Sequence, residues 1–413
     1  MSKKKPQALR KYINIKHGFA FSSEFYSDSG DYVLLTPGNF LEQGGFRWLG
    51  EKQKYYAGDV PEEYVLSPGQ MLIAMTEQAP GLLGSTFLVP KGKAYLHNQR
   101  LGLVIVKDRD TLNAEYLHYY FSSASVRQQI AKESAGTKVK HTSPDKLLGL
   151  PINLPPFEEQ QRIAALLQTW DDAIDKKSRI LGIKTRLYSC LVETLLVGPT
   201  LKLHSYRKKS ARPLLLFTHE LTARNSANVL GRDLVMGVSN ANGIVPMREQ
   251  TIGSDLSRYK ILPPRAFAYN PMRINVGSIA MSRLDSDVLA SPDYVLFACK
   301  KDVLDPDYFD HLCNTHWWKH HINESGSGSV RQRIYYADLA ALRVVIPPFE
   351  KQKQIADCLN LAKREIELIE AQIAALNQQK RGLMQKLLTG QWRVMPLRGE
   401  MSKKGVARGK ART

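Results

Sequence analysis

Two stretches of the chain carry its longest helical pattern. In Ile346–Gly390 the seam Ile355, Leu359, Ala362, Ile366, Ile369, Ile373, Leu376, Lys380, Leu383, Leu387 alternates steps of four and three. Matching positions in Leu154–Gly198 are Ile163, Leu167, Trp170, Ile174, Lys177, Leu181, Lys184, Tyr188, Leu191 and Leu195. A heptad seam needs a helical partner, and each stretch can serve the other. They align without a gap at an offset of 192, with 13 identities over 45 residues. Each opens on Pro-Pro-Phe-Glu, with the prolines expected in the first helical turn. Glu158, Glu159 and Glu350 then stand where the helix dipole favours negative charge. Each closes on a glycine, Gly198 or Gly390. About 40 residues of helix span roughly 60 Å. Antiparallel pairing with flush ends sets Trp170 against Lys380, predicting a cation–π pair, and Tyr188 against Ala362. Lys177 and Lys184 then face Ile373 and Ile366, with Glu370 and Glu367 near their ammonium groups. The interhelix seam is assigned to Leu167, Trp170, Ile174, Leu181, Tyr188 and Leu191, facing Leu359, Ile366, Ile369, Ile373, Leu376 and Lys380.

Outside these stretches the periodicity shortens. KHGFAFSSEFY, DYVLLTPGNFLEQGGF, EYVLSPGQMLIAMT and YLHNQRLGLVIV are short apolar runs broken by Gly, Pro and Asn, which predicts strands and turns. Asn113–Glu133 reads as helix, followed by a polar loop and a strand over LLGLPINL. The same order recurs in the second half, where SPDYVLFACKKDVLDPDYFDHLC matches QRLGLVIVKDRDTLNAEYLHYYF at the offset of 192. The expected fold is α+β, with two tandem recognition domains alternating with two long helices that pair as an antiparallel coiled coil. The boundaries are residues 1–153 for the first domain, 154–198 for the first helix and 199–213 for a basic linker. Residues 214–345 form the second domain, 346–390 the second helix and 391–413 a basic tail expected to be disordered.

With 413 residues the chain exceeds one core, and 43% hydrophobic content makes it globular. No apolar run approaches the ~20 residues of a membrane span, and the basic start has no apolar core after it, unlike a signal peptide. Four unpaired-looking cysteines fit a reducing cytoplasm. The net charge of +19 points to a polyanionic partner. Residues 1–16, 199–213 and 391–413 together hold 17 of those charges, so basic arms would grip phosphates without reading sequence.

Catalytic signatures are poor. LPPF and IPPF resemble the Asn/Asp/Ser-Pro-Pro-aromatic motif of amino-methyltransferases, but Leu154 and Ile346 cannot accept a hydrogen bond from an amine. No Glu-x-Lys nuclease motif occurs, and Asp175 with Lys177 belongs to the helix. His311, Cys313, His316, His320 and His321 form one ligand-rich cluster, but the matching first-domain residues Tyr119, Phe121, Ala124, Gln128 and Gln129 cannot all bind metal. Two equivalent loops are better candidates. Thr137, Lys138, Lys140 and His141 in one, and Ser327, Ser329, Arg331, Gln332 and Arg333 in the other, offer donors suited to phosphates and base edges. Asn270 and Arg273 of NPMR join the DNA-binding candidates.

GFAFSSEF, TPGNF, LSPGQMLIAM, YNPMR with SPDYVLF, and above all PPFEEQQRIA and PPFEKQKQIA before long helices, resemble the specificity subunits of type I restriction–modification systems. The resemblance spans nearly the whole chain, although the second domain lacks a GxAFxS opening, which leaves its first strands unplaced. It implies a non-catalytic subunit that reads a bipartite double-stranded DNA target. It further implies two methylation subunits docked at the helix starts, through Pro155, Phe157, Glu158, Gln160, Pro347, Phe349, Glu350 and Gln352, and restriction or translocase subunits beyond them. Cofactors are then expected only elsewhere, S-adenosylmethionine on the methylation subunits and ATP with Mg²⁺ on the restriction subunit. A sequence-independent DNA-bridging protein and an enzyme with an unrecognised centre remain alternatives.

Overall fold

The computed structural model describes residues 6–395 other than 78, 80, 137–139, 198–210, 241 and 326–332, the side chains of Glu324 and Ser325 excepted. The chain divides into two units, residues 1–177 with 372–413, and residues 178–371. Each unit is therefore a domain together with a segment of both long helices.

In the first unit, a continuous apolar run builds a strand buried on both faces. Met71–Ala74 lies inside an antiparallel sheet ordered Ile13–His17, Leu101–Val106, Met71–Ala74, Thr86–Leu88. Met71 and Ile73 point to the helical side and meet Tyr116, Leu117, Ile163 and Leu167. Leu72 and Ala74 point the opposite way, as the period of two requires, and join Val33, Phe40, Phe87 and Tyr95. Part of that second layer is a sheet ordered Tyr26–Ser27, Tyr55–Tyr56, Tyr32–Leu34, Ala94–Leu96, Val65–Leu66, whose Tyr32–Leu34 and Ala94–Leu96 run parallel. Helices Ala114–Ser122, Ala124–Glu133 and Pro144–Leu148 complete the domain.

The second unit repeats this plan. Its antiparallel sheet runs Thr218–Glu220, Val295–Cys299, Phe267–Tyr269, Ile279–Met281. The companion sheet runs Gly243–Pro246, Val235–Ser239, Val288–Ala290, Lys260–Leu262, again with one parallel pair in its middle. Helices Pro306–Cys313, His316–Ser325 and Tyr336–Ala341 follow in the same order. Phe267, Phe297, Phe309 and Trp318 share a core with Leu196, Ile355 and Leu359 of the long helices. The opening of this domain, unplaced in the sequence, begins with Arg212–Pro213 paired with Arg343–Val344 and continues with Thr218–Glu220 on the edge of the antiparallel sheet.

Several elements differ from expectation. The helix expected over Asn113–Glu133 breaks at Ser123, which is extended (φ −70, ψ 142) and whose hydroxyl donates to the Tyr120 carbonyl at 2.7 Å. The strand expected over LLGLPINL shrinks to Pro151–Ile152, paired with Gln7–Ala8. Ser143 caps Pro144–Leu148 as a helix instead, with proline inside its first turn. The prolines of Pro-Pro-Phe-Glu precede the long helices, Phe157–Val192 and Phe349–Leu388, where the Pro156 and Pro348 carbonyls accept the first helical bonds. The first long helix loosens into a π turn over Glu193–Val197. The second ends at Gly390 in the left-handed region (φ 73), its amide donating to Leu387.

Candidate nucleic-acid interface and the helix pair

Within each unit the two long helices run antiparallel. In the first unit Lys177 donates to Gln372 at 2.7 Å and Lys380 pairs with Asp171. Farther along, Arg393 meets the buried carboxylate of Glu159 at 3.0 Å and Arg162 donates to the Val394 carbonyl. In the second unit Lys184 pairs with Glu365 at 2.8 Å. The residue numbers of the pairs along the seam sum to 549–551, matching the 550 at which the two seams lie flush from Ile163 opposite Leu387 to Leu195 opposite Ile355. Every seam position is buried or half-buried, whereas Asp175, Lys176, Ser178, Arg179 and Ile180 between them are exposed. Leu167 and Leu359 are fully buried against their domains, and Trp170, Ile174, Leu181, Tyr188, Leu191, Ile366, Ile369, Ile373 and Leu376 are half-buried.

The polar partners across the seam differ from those the sequence suggested. Lys380 does not stack on Trp170; its ammonium lies 5.3 Å from the Tyr119 ring centroid, drawn there by Asp171. Tyr119 donates to the other Asp171 oxygen at 2.8 Å. Lys177 and Lys184 take Gln372 and Glu365 in place of Glu370 and Glu367, because an antiparallel pair brings flanking positions together rather than the seam's own neighbours.

Each long helix is also fastened to its domain by one glutamine. Gln160 accepts from the Asn113 amide at 3.0 Å and donates to the carbonyls of Thr111 (3.0 Å) and Pro155 (2.9 Å). Gln352 repeats the set with the Asp305 amide (2.8 Å) and the carbonyls of Val303 (3.0 Å) and Pro347 (2.9 Å). Asn113 and Asp305, so held, cap the helices beginning at Ala114 and Pro306 by accepting from Tyr116 and Tyr308. Both glutamines are 1% exposed. The placing of Gln160 and Gln352 among surface docking residues is thus corrected, since their amides are consumed inside the fold. Glu158 and Glu350 are exposed, and Pro155, Phe157, Pro347 and Phe349 are half-buried.

Of the loop candidates, Thr137, Lys138, Ser327, Ser329, Arg331 and Gln332 lie outside the described residues, as do most of the basic linker and tail. Lys140 and His141 are exposed beside the antiparallel sheet. The His141 amide donates to Ala135, the Lys140 carbonyl accepts from Glu77, and Thr142 donates to Met75. In the second unit Ile334 donates to Pro271 at 3.0 Å, so the equivalent loop returns beside NPMR. Arg333 is exposed and donates to the Tyr335 hydroxyl at 3.3 Å. Asn270 spends its carbonyl on the Met272 amide (2.9 Å), making a turn, and Arg273 is exposed.

The histidine cluster does not converge. His311 is buried between the Tyr188 hydroxyl (3.0 Å) and the Asn360 carbonyl oxygen (2.9 Å), and burial holds its pKa down. Cys313 is buried, His316 and His320 are exposed, and His321 stacks on Trp317. Among the described residues no group of three or more His, Cys, Asp or Glu is arranged for a metal.

A domain repeated on segments of the same two helices, with one frame and different exposed side chains, defines a protein built from two variants of a single module. The chain belongs to the family of the type I restriction modification DNA specificity domain, which matches residues 2–184 and 272–378. It is accordingly a DNA specificity subunit, the non-catalytic component of such a system. A relative from Methanocaldococcus jannaschii, the putative type I restriction enzyme MjaX specificity subunit, is 22% identical over 364 residues, 82% of this chain and 83% of its own length. The EcoBI specificity subunit of Escherichia coli is 29% identical over 169 residues, 40% of this chain and 32% of that one. The crystal structure of the S subunit from M. genitalium shares the fold with a TM-score of 0.56 at 13% identity, covering 92% and 95% of the two chains. The family match resumes only at Met272, leaving out the second-domain opening that lacks GxAFxS.

Proposed function

We propose that this chain reads a bipartite duplex DNA sequence, one half with each α+β domain, and that the paired helices set the gap between halves and carry two methylation subunits. The observation behind this reading is the duplication itself: a single frame, fastened by Gln160 and Gln352 in the same way, bears two different sets of exposed side chains. Lys140 and His141 in the first domain and Arg273 and Arg333 in the second are exposed donors for phosphates and base edges. Thr137, Lys138, Ser327, Ser329, Arg331 and Gln332 belong to the same loops in sequence. The basic terminal and linker segments add a salt-dependent hold on phosphates. Docking of methylation subunits would use Glu158, Glu350, Phe157 and Phe349. It would also use an uncovered apolar face of the helices in the second unit, where Ile183 and Leu361 are 57% and 73% exposed.

On this reading S-adenosylmethionine sits on the methylation subunits, and ATP with Mg²⁺ on a restriction subunit, in the cytoplasm. No helix among the described residues is long and apolar enough to cross a membrane. The test is exchange of residues 1–153 for the matching domain of a relative, with methylated adenines mapped genome-wide. One half of the recognised sequence should change and the other stay. Seven residues inserted after Lys177, with seven more after Ala371, keep the heptad and the Lys177–Gln372 bond. They lengthen both helices by roughly 10 Å, so the unread gap should grow by about three base pairs at ~3.4 Å each. A domain exchange that rewrote both halves together would overturn the reading.

A further inference from the structure

The second unit carries an open polar groove of about 580 Å³ between the Ser239–Asn240 turn and the segment Met272–Ser278, far larger than the ~30 Å³ share of one water. No carboxylate lines it. Gly277, between the lining residues Val276 and Ser278, is in the left-handed region (φ 92), where a side chain would be strained. Two nitrogens lie beside this glycine at the groove's edge: a Cβ placed on Gly277 would lie 3.9 Å from the Lys319 ammonium and 4.0 Å from the Asn240 amide nitrogen. Asn240 donates one hydrogen to the Val276 carbonyl at 2.7 Å and keeps its second. Neither Lys319 nor Arg273 pairs with a carboxylate among the described residues, and both are exposed. An unpaired ammonium beside an amide donor, over a glycine with no side chain, is suited to a phosphate oxygen.

The corresponding cation in the first unit is turned inward. Arg127, which occupies the Lys319 position at the offset of 192, is folded inward, donating to the Gly81 carbonyl. Desolvation lowers its pKa to about 10, with Glu42 and Glu77 opposing the fall. The same helix position is thus a domain cation in one copy and a free surface cation in the other.

Arg273 stands on the groove rim between Met272 and Val276, which are 54% and 59% exposed. Two apolar side chains held in water beside an arginine and the amide of Asn275 offer contacts for base edges and thymine methyl groups. We infer that this groove is where the second domain engages duplex DNA, Lys319 and Asn240 holding a backbone phosphate while Arg273 reads a base beside it. The inference rests on the DNA-specificity reading and assigns it a place.

The test uses the full chain assembled with its methylation subunits, a duplex carrying its methylated sequence and an unrelated duplex of equal length. Lys319→Ala should weaken binding to both duplexes equally and reduce the slope of log K against log salt by about one. Arg273→Ala should cost roughly 5- to 150-fold on the target duplex, leave the unrelated duplex unaffected, and relax one position in one half of the methylated sequence. If both variants keep wild-type affinity, salt slope and methylated sequence while the wild type reads two half-sites, the groove is not the site and the specificity reading stands. If Arg273→Ala weakens both duplexes alike, the residue holds a phosphate and the base-reading assignment is wrong. A wild-type complex that methylates without sequence preference would remove the specificity reading and this inference with it.

Discussion

Replacing Gln160 by leucine keeps the approximate volume of the side chain but removes an amide that serves three backbone groups at once. The Asn113 amide loses its acceptor, and the Thr111 and Pro155 carbonyls lose their donor. A buried polar group without a partner costs about 1–3 kcal/mol. Thr111 is exposed and Pro155 half-buried, so water can reach those carbonyls, and the whole substitution should cost roughly 2–5 kcal/mol. That is a large share of the 5–15 kcal/mol typical of a domain. Hydrogen exchange followed by mass spectrometry on the full chain offers an internal control. The amides of Asn113–Tyr116 should lose protection, while those of Asp305–Tyr308, held by the untouched Gln352, should not. Gln160→Glu sharpens the test. At neutral pH a carboxylate still accepts from Asn113 but opposes both carbonyls. Protonation restores one donor, so protection in this variant should improve as pH falls. Unchanged protection at Asn113–Tyr116 in either variant, or equal loss at both sites, would refute the idea that each glutamine fastens its own domain.

Two other perturbations follow from the first unit. Asp171→Ala strands the Lys380 ammonium and leaves the Tyr119 hydroxyl only the longer bond to Gln168 (3.4 Å); with Lys380 13% and Asp171 37% exposed, screening should reduce the ~3–5 kcal/mol of a buried pair to roughly 1–3. Adding Lys380→Met should recover much of this in urea unfolding, and no recovery would mean that the pair is not what holds the helices there. His97, 1% exposed, has its pKa lowered by burial from 6.5 to about 4, against the bond from its Nε2 to the Leu101 carbonyl. Its contribution is full above pH ~6.5, where folded and unfolded states are both neutral. It is lost as pH falls from ~6.5 to ~4, because the unfolded state takes up the proton first, and the total is on the order of 3 kcal/mol. His97→Gln should flatten the slope of stability against pH in that window; an unaltered slope would assign acid lability elsewhere.

Much of the fold was legible because the chain is written twice. The heptad seam predicted which faces of the helices are covered, and assuming an antiparallel pair with flush seams then gave the register. The offset of 192 that aligned the helices also aligned Tyr116 with Tyr308 and so the two domains. Local chemistry was harder to read. Ser123 and Ser143 act through capping and chain reversal, which apolar periodicity does not register. Gln160 and Gln352 looked like surface residues because a glutamine in a charged first turn ordinarily is one. Their recurrence at one position, next to different neighbours, was the signal available for a shared internal role. Lys319 and Asn240 left no such trace, because the groove that joins them depends on the turn at Gly277.

The repeated frame and the unrepeated fastening divide the work between them. Four positions related by the offset of 192 carry different chemistry in the two units. Tyr119, Gln168, Asp171 and Lys380 correspond to His311, Asn360, Lys363 and Tyr188. In the first unit a tyrosine on the domain donates to an aspartate that also holds a lysine of the second helix. In the second unit a histidine on the domain sits between a tyrosine of the first helix and an asparagine of the second. Seating the first domain on the other helix segments would bring Tyr119 to Asn360, Lys363 and Tyr188, where Asn360 can take the place of Gln168 but no carboxylate replaces Asp171. The glutamine bonds are indifferent to which domain is seated, because they address backbone groups present in both copies. The side-chain sets are not. A domain transplanted at residue 153 carries position 119 but leaves Asp171 and Lys380 behind, so its acceptance depends on whether that one residue can donate to the aspartate. Divergence of the exposed surface is free under this arrangement, whereas divergence at position 119 is coupled to both long helices.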